Sequence, residues 1–233
     1  MTRIYLILAA LVVFCSCGDD DPFDLDSIFF SCNENGEPFN FELYTGLVDD
    51  CKSIIVQETF GSSATSWERN EPNRFKRTIT QDGLLQESLN NVSWFFFNDI
   101  TISENLYQYQ IDFELEILSG PESRFHVITW GGRDRLDNFF SLGINANREL
   151  QIGTVSNSQD FETLFYLPIT TSIIAGSNLI TIRVVDNMNY FFINETFVTA
   201  MQKSLYGNEI GFNVPAMSAN KLNNITITRF RTE

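Results

Sequence analysis

Three carboxylates stand at alternate positions of one short run: Asp112, Glu114 and Glu116. From Tyr107 to Ile117 the alternation is strict, with Tyr107, Tyr109, Ile111, Phe113, Leu115 and Ile117 on one side and Gln108, Gln110, Asp112, Glu114 and Glu116 on the other. That is the period-two pattern of a strand with one face in a core and one in water. Carboxylates brought close together do acid–base chemistry, whereas carboxylates spread along a wet strand only solvate it; the residues alone leave both readings open. A second constellation is Trp130-Gly131-Gly132 followed by the charged loop Arg133-Asp134-Arg135-Leu136-Asp137-Asn138. There a ring could stack on a sugar while Arg133, Asp137 and Asn138 bond hydroxyls; equally, Trp130 could cap the core. Asp134, Asp137 and Asn138 are also oxygen donors of the kind calcium takes, although they form no spaced loop motif, and no other cofactor is implied. His126 is the single histidine, so no serine–histidine triad forms without it, and no Gly-x-Ser-x-Gly elbow exists. It shares its face with Ile128 and Trp130, which favours a structural role.

The elements that must position these residues follow an N-terminal leader. Arg3 gives a positive start, and Ile4 to Phe14 form an apolar run too short to span a bilayer but suited to a signal-peptide core. The run ends in Phe14-Cys15-Ser16-Cys17-Gly18, which resembles the lipobox of bacterial lipoproteins; the small Ser16 makes Cys17 the better match for the lipidated residue. Gly18-Asp19-Asp20-Asp21 resembles the acidic signal that sends such lipoproteins to the outer cell face in Bacteroidetes-type bacteria. The resemblance implies a signal peptide over 1–16, an anchor in the outer membrane through Cys17 and an acidic tether over 17–28, the domain facing the cell exterior. The alternative is a cleaved secretory peptide with incidental cysteines. If Cys17 becomes the first residue, Cys32 and Cys51 are the pair that remains. Two cysteines in an oxidising compartment read as a disulfide pinning residues 29–52, worth about 3 kcal/mol in the chain-entropy model.

Net charge is −15 with acidic residues scattered, which excludes nucleic acid and anionic membrane surfaces as charge-driven partners. Phenylalanine is abundant at 22 residues, enough rings to fill a sandwich core and leave some for recognition. From Ile54 onward, short apolar runs alternate with turn chemistry: Asp82-Gly83, Asn145-Ala146-Asn147 and Asn194-Glu195. This predicts an all-β sandwich over 53–233 with very little helix. The predicted strands are 54–60, 74–80, 84–89, 94–97, 107–117, 124–130, 138–144, 149–154, 178–185, 190–193, 196–200, 209–214 and 224–230.

The order of Glu58-Thr59-Phe60, Asp82-Gly83, Phe113-Glu114-Leu115-Glu116, Trp130-Gly131-Gly132, Asn138 to Ile144, Asn178 to Ile182, Tyr190 to Asn194 and Gly207 to Phe212 resembles that of concanavalin A-like lectin/glucanase jelly rolls, including laminin G-like domains and family 16 glucanases. The resemblance implies two antiparallel sheets with the first strand pairing near the last. Family 16 glucanases carry Glu-x-Asp-x-Glu on one strand; here the comparable run begins in one register with Gln110, which cannot attack an anomeric carbon, and in the other with Asp112, with Glu114 in the middle. Retaining hydrolysis needs carboxyls about 5–5.5 Å apart, and residues four apart on a straight strand lie about 13 Å apart. The expectation is therefore a non-catalytic domain that binds glycan or a partner protein. The alternative is a glycoside hydrolase or lyase that uses Asp112, Glu114 or Glu116.

Overall fold

The computed structural model describes residues 40–45, 52–61, 65–101, 108–133, 138–156, 160–207 and 209–230. The leader, Cys17, Cys32, Cys51, Asp134 and Asp137 lie outside the described residues. Fifteen strands and one short 3-10 turn, Thr65–Trp67, make up the regular structure described. In chain order the strands are β1 (Lys52–Glu58), β2 (Arg69–Glu71), β3 (Phe75–Thr80), β4 (Gly83–Ser88), β5 (Trp94–Thr101), β6 (Gln108–Ser119), β7 (His126–Arg133) and β8 (Asn138–Ile144). They continue with β9 (Leu150–Ser156), β10 (Asp160–Leu167), β11 (Ser177–Val185), β12 (Met188–Ile193), β13 (Thr196–Gln202), β14 (Glu209–Val214) and β15 (Ala219–Phe230).

Two antiparallel sheets result. The nine-stranded sheet runs β13-β12-β11-β6-β15-β4-β3-β2, with β1 also against β15, and the six-stranded sheet runs β10-β9-β8-β7-β14-β5. The long β15 pairs with β6 along one edge; on the other it pairs with β4 through Leu222 and with β1 from Ile225 onward. The first strand thus closes on the last, as a jelly roll requires. The core lies between the sheets. Tyr109, Ile111, Phe113 and Leu115 of β6 are all buried, and Phe113 meets Phe212 of β14 edge-on at 5.5 Å between centroids. Each such buried side chain contributes about 1.5–3 kcal/mol.

The alternation that predicts β6 also orients it, and β8 matches its predicted bounds. Three departures have local causes. The β3–β4 hairpin forms, but Thr80 pairs with Gly83, so the turn residues are Gln81 and Asp82, and Gly83 (φ 133°) opens β4. Strand β10 lies where the sequence predicts no strand, because a register shift between Thr163 and Phe165 breaks its alternation. Strand β15 begins five residues before its predicted start at 224, because a shift between Leu222 and Asn224 hides the period and places Asn220 in the interior.

Asn220 belongs to a buried polar chain. Gln86 Nε2 donates to Asn220 Oδ1 at 3.0 Å, while Asn220 Nδ2 donates to His126 Nδ1 and to the Asn213 carbonyl, both at 3.0 Å. These bonds satisfy most of the polar atoms that the chain buries, and Gln86 Oε1 is left without a partner among the described residues.

Residues 40–45 form a strap on the outer face of the nine-stranded sheet. Phe41 packs tilted against Tyr190 (5.6 Å) and Tyr44 meets Phe192 edge-on (5.7 Å). Arg183 of β11 holds the strap through its backbone, donating from Nη1 to the carbonyls of Phe41 (2.7 Å) and Leu43 (2.9 Å) and from Nη2 to that of Tyr44 (3.3 Å).

Candidate functional site

The carboxylates of β6 lie on the outer face of the nine-stranded sheet, beside the strap. Asp112 is engaged: Thr181 Oγ1 donates to it at 2.5 Å and Gln110 Nε2 at 2.9 Å. Burial pushes its carboxyl above the usual range, against the opposing pull of those two hydrogen bonds and of Arg183 and Lys52. Glu116 pairs with Lys221, its cross-strand neighbour, at 2.8 Å. Strand β6 pairs with β11 from Gln108 to Glu116 without a register shift. No bulge on that side therefore draws Asp112 and Glu116 together, and their backbones stay about 13 Å apart.

Trp130 is a correction. Its side chain is 0 % exposed, packed at 5.6 Å from Phe140 and 5.4 Å from Phe191, with Nε1 donating to Asn189 Oδ1 at 3.2 Å. The ring presents no face to a ligand. Its parity with His126 and Ile128 turns it inward, and that parity was the sequence signal for the core role. Arg133 and Asn138 are paired in register where β7 turns into β8, the first exposed and the second half-buried. They stand at the end of the six-stranded sheet, whereas Asp134 and Asp137 of the same loop are outside the described residues. Among the described residues no three His, Cys, Asp or Glu side chains cluster as metal ligands. His126 is 1 % exposed and accepts from Asn220, and burial pushes its imidazole down to about 4.

A different face collects features that sequence reasoning missed. On the outer side of the six-stranded sheet, cross-strand pairing aligns Gly211 (β14), Thr129 (β7), Ser141 (β8) and Gly153 (β9) in one transverse row. Phe97 of β5 pairs with Gly211, and a Cβ at Gly211 would sit 2.7 Å from the Phe97 ring. At the other end a Cβ at Gly153 would sit 2.5 Å from the ring of Phe161 of β10. Each glycine thus lets a phenylalanine lie over the sheet. Phe139 reaches from β8 to within 5.8 Å of Phe97 and 5.9 Å of Phe95, so these rings bridge the two strands between them. Phe95 remains 40 % exposed and Phe161 49 %.

Polar groups lie among the rings. Gln151 Nε2 donates to Thr163 Oγ1 at 2.9 Å. Thr129 Oγ1 is buried and has no hydrogen-bond partner among the described residues, which is the kind of group that calls for an explanation. The outward positions along this face include Gly211 and Asn213 of β14, Val127 and Thr129 of β7, Phe139, Ser141 and Gly143 of β8, and Gln151, Gly153 and Val155 of β9, all uncharged; beside them the acidic Glu209 opens β14 opposite Gly132. No single run of sequence announces such a face, because phenylalanine is ordinarily a core residue and only the pairing shows which rings turn outward.

No protein-family model matches this sequence, and neither does any curated protein. Solved structures share its fold. The carbohydrate-binding module CBM66 from Bacillus subtilis superposes with TM-score 0.53 at 11% identity over 65% of this chain and 90% of its own. A Bacillus subtilis protein of unknown function with a galectin-like fold gives TM-score 0.56 at 11% identity over 77% and 98%. The laminarinase catalytic domain from Thermotoga maritima gives 0.51 at 5% identity over 78% and 99%. The chain therefore has the two-sheet antiparallel jelly-roll fold found in galectin-like and concanavalin A-like proteins. At these identities the likeness speaks for the fold alone.

Proposed function

We propose that this chain is a non-catalytic glycan-binding domain displayed at a bacterial cell surface, with the outer face of its six-stranded sheet as the binding surface. The observation that carries the reading is the uncharged row from Gly211 to Gly153 with exposed phenylalanine rings at both ends. Flat apolar faces beside small polar groups suit the mixed apolar and hydroxylated surface of a sugar. The carbohydrate-binding module among the fold neighbours agrees with this choice of ligand class. The non-catalytic part is supported by the engagement of Asp112 with Thr181 and of Glu116 with Lys221, and by the straight pairing of β6 with β11.

Surface display rests on the residues before the domain. Acylation at Cys17 would fix the chain to the outer membrane through several fatty chains, an anchor that is effectively permanent, and a Cys32–Cys51 disulfide would tie the segment between tether and β1. Intact-mass analysis of protein extracted from membranes tests both, through the added acyl mass and a two-proton shift on reduction. Glycan binding is tested by titration against a panel of polysaccharides. Saturable binding to at least one is expected, and a flat response to all would overturn the reading in favour of a protein partner.

A further inference from the structure

Resting on the glycan-binding reading, we infer that the ligand is an extended, uncharged glycan chain that lies across the strands and engages two separate aromatic platforms. The first platform is Phe95 and Phe97, backed by the buried Phe139. The second is Phe161 over Gly153. Between Gly211 beneath the first and Gly153 beneath the second lie two strands, β7 and β8. Three strand spacings put the platforms about 14 Å apart. One sugar ring covers one platform, and a chain several residues long is needed to touch both.

The direction of the chain follows from the row. Gly211, Thr129, Ser141 and Gly153 are mutual cross-strand partners, so the line joining the platforms runs perpendicular to the strands over the smallest side chains of the face. A ligand along the strands would meet one platform only. Midway, Thr129 and Ser141 are buried small side chains that lie out of the ligand's reach.

The charge class follows from what the face carries. The chain has net charge −15 and 45 charged residues, 15 basic and 30 acidic, yet the row from Gly211 through Thr129 and Ser141 to Gly153 is uncharged, and Glu209, which opens β14 beside it, is acidic. A uronic-acid or sulfated polymer would cross that row with no cation to meet it among the described residues of the row, inside the negative field of the whole protein. A neutral polymer pays no such penalty, and its binding should be insensitive to salt.

The test is a length series. Neutral polymers (β-glucan, xylan, galactomannan) and anionic ones (polygalacturonate, chondroitin sulfate) are titrated at low and at physiological salt. The neutral polymer that binds is then hydrolysed to oligomers of increasing length. Affinity should rise on the order of tenfold or more once the oligomer spans both platforms, as two linked contacts act together. Phe161→Ala should abolish that rise, and Phe161→Tyr should keep it. Thermal melts of both variants check folding. Binding confined to anionic polymers, or affinity independent of length, overturns this inference while leaving glycan binding intact; no binding to any polymer overturns the glycan-binding reading beneath it.

Discussion

Nη1 of Arg183 donates to the carbonyl oxygen of Phe41 at 2.7 Å, and through this contact the centre of β11 holds a chain segment that precedes the first strand. Arg183 is itself 1 % exposed, lies 4.9 Å from the Phe192 ring and also donates from Nε to Gln110 at 3.1 Å. Replacing it with methionine leaves three strap carbonyls and Asp112 without their donor or countercharge. Arg183→Met should lower stability by about 3 kcal/mol. Hydrogen exchange should show residues 40–45 losing protection first. Unchanged protection there would mean that ring contacts alone hold the strap.

His126 ties stability to pH. In the fold its imidazole is neutral and pushed down to about 4, against an ordinary value of 6.5. Between those values the unfolded chain binds the proton and the folded chain does not, so stability falls as pH drops from about 6.5 to about 4, by on the order of 3 kcal/mol. Asp112 works in the opposite direction, because burial raises its carboxyl and protonation relieves the fold. Urea unfolding of the wild type and of His126→Gln across this range separates the two: the variant should lose most of the acid-side decline. An identical pH profile would place the titrating group elsewhere.

Trp130 separates core from site. Its burial between Phe140 and Phe191 means that Trp130→Ala should cost about 3–5 kcal/mol. Trp130→Phe should cost less and leave glycan affinity unchanged. A large loss of affinity in a folded Trp130→Phe protein would return the ring to the binding surface.

The glycine beneath Phe161 is a positional test of the face. A methyl group at Gly153 would meet the ring at 2.5 Å and the Glu162 carbonyl at 2.8 Å, so Gly153→Ala should displace the ring and cost about 1–3 kcal/mol of stability. Affinity for long oligomers should drop with it. Normal affinity in this variant would remove Phe161 from the site.

The fold was legible in the sequence because most of its strands alternate cleanly, as Tyr109, Ile111, Phe113 and Leu115 do. Where it was not legible, a bulge had broken the period, as between Thr163 and Phe165 or between Leu222 and Asn224. The candidate site was less legible for a different reason. Phe95, Phe139 and Phe161 come from three strands, and nothing local distinguishes them from core phenylalanines; what marks them is Gly211 and Gly153 on neighbouring strands. Trp130 drew attention as an aromatic residue before two glycines, yet its parity with Ile128 already turned it inward. The strap contact of Arg183 spans more than a hundred residues of sequence, and no local pattern announces it.

The central claim is that the outer face of the six-stranded sheet, and not the carboxylate face of the nine-stranded sheet, meets the ligand. Hydrogen exchange of the full chain with and without a bound neutral polysaccharide decides between them. Added protection is expected at 95–97, 139–141, 151–155 and 161–163, with 110–116 and 181–192 unchanged. Protection confined to 110–116 and 181–192 would contradict it.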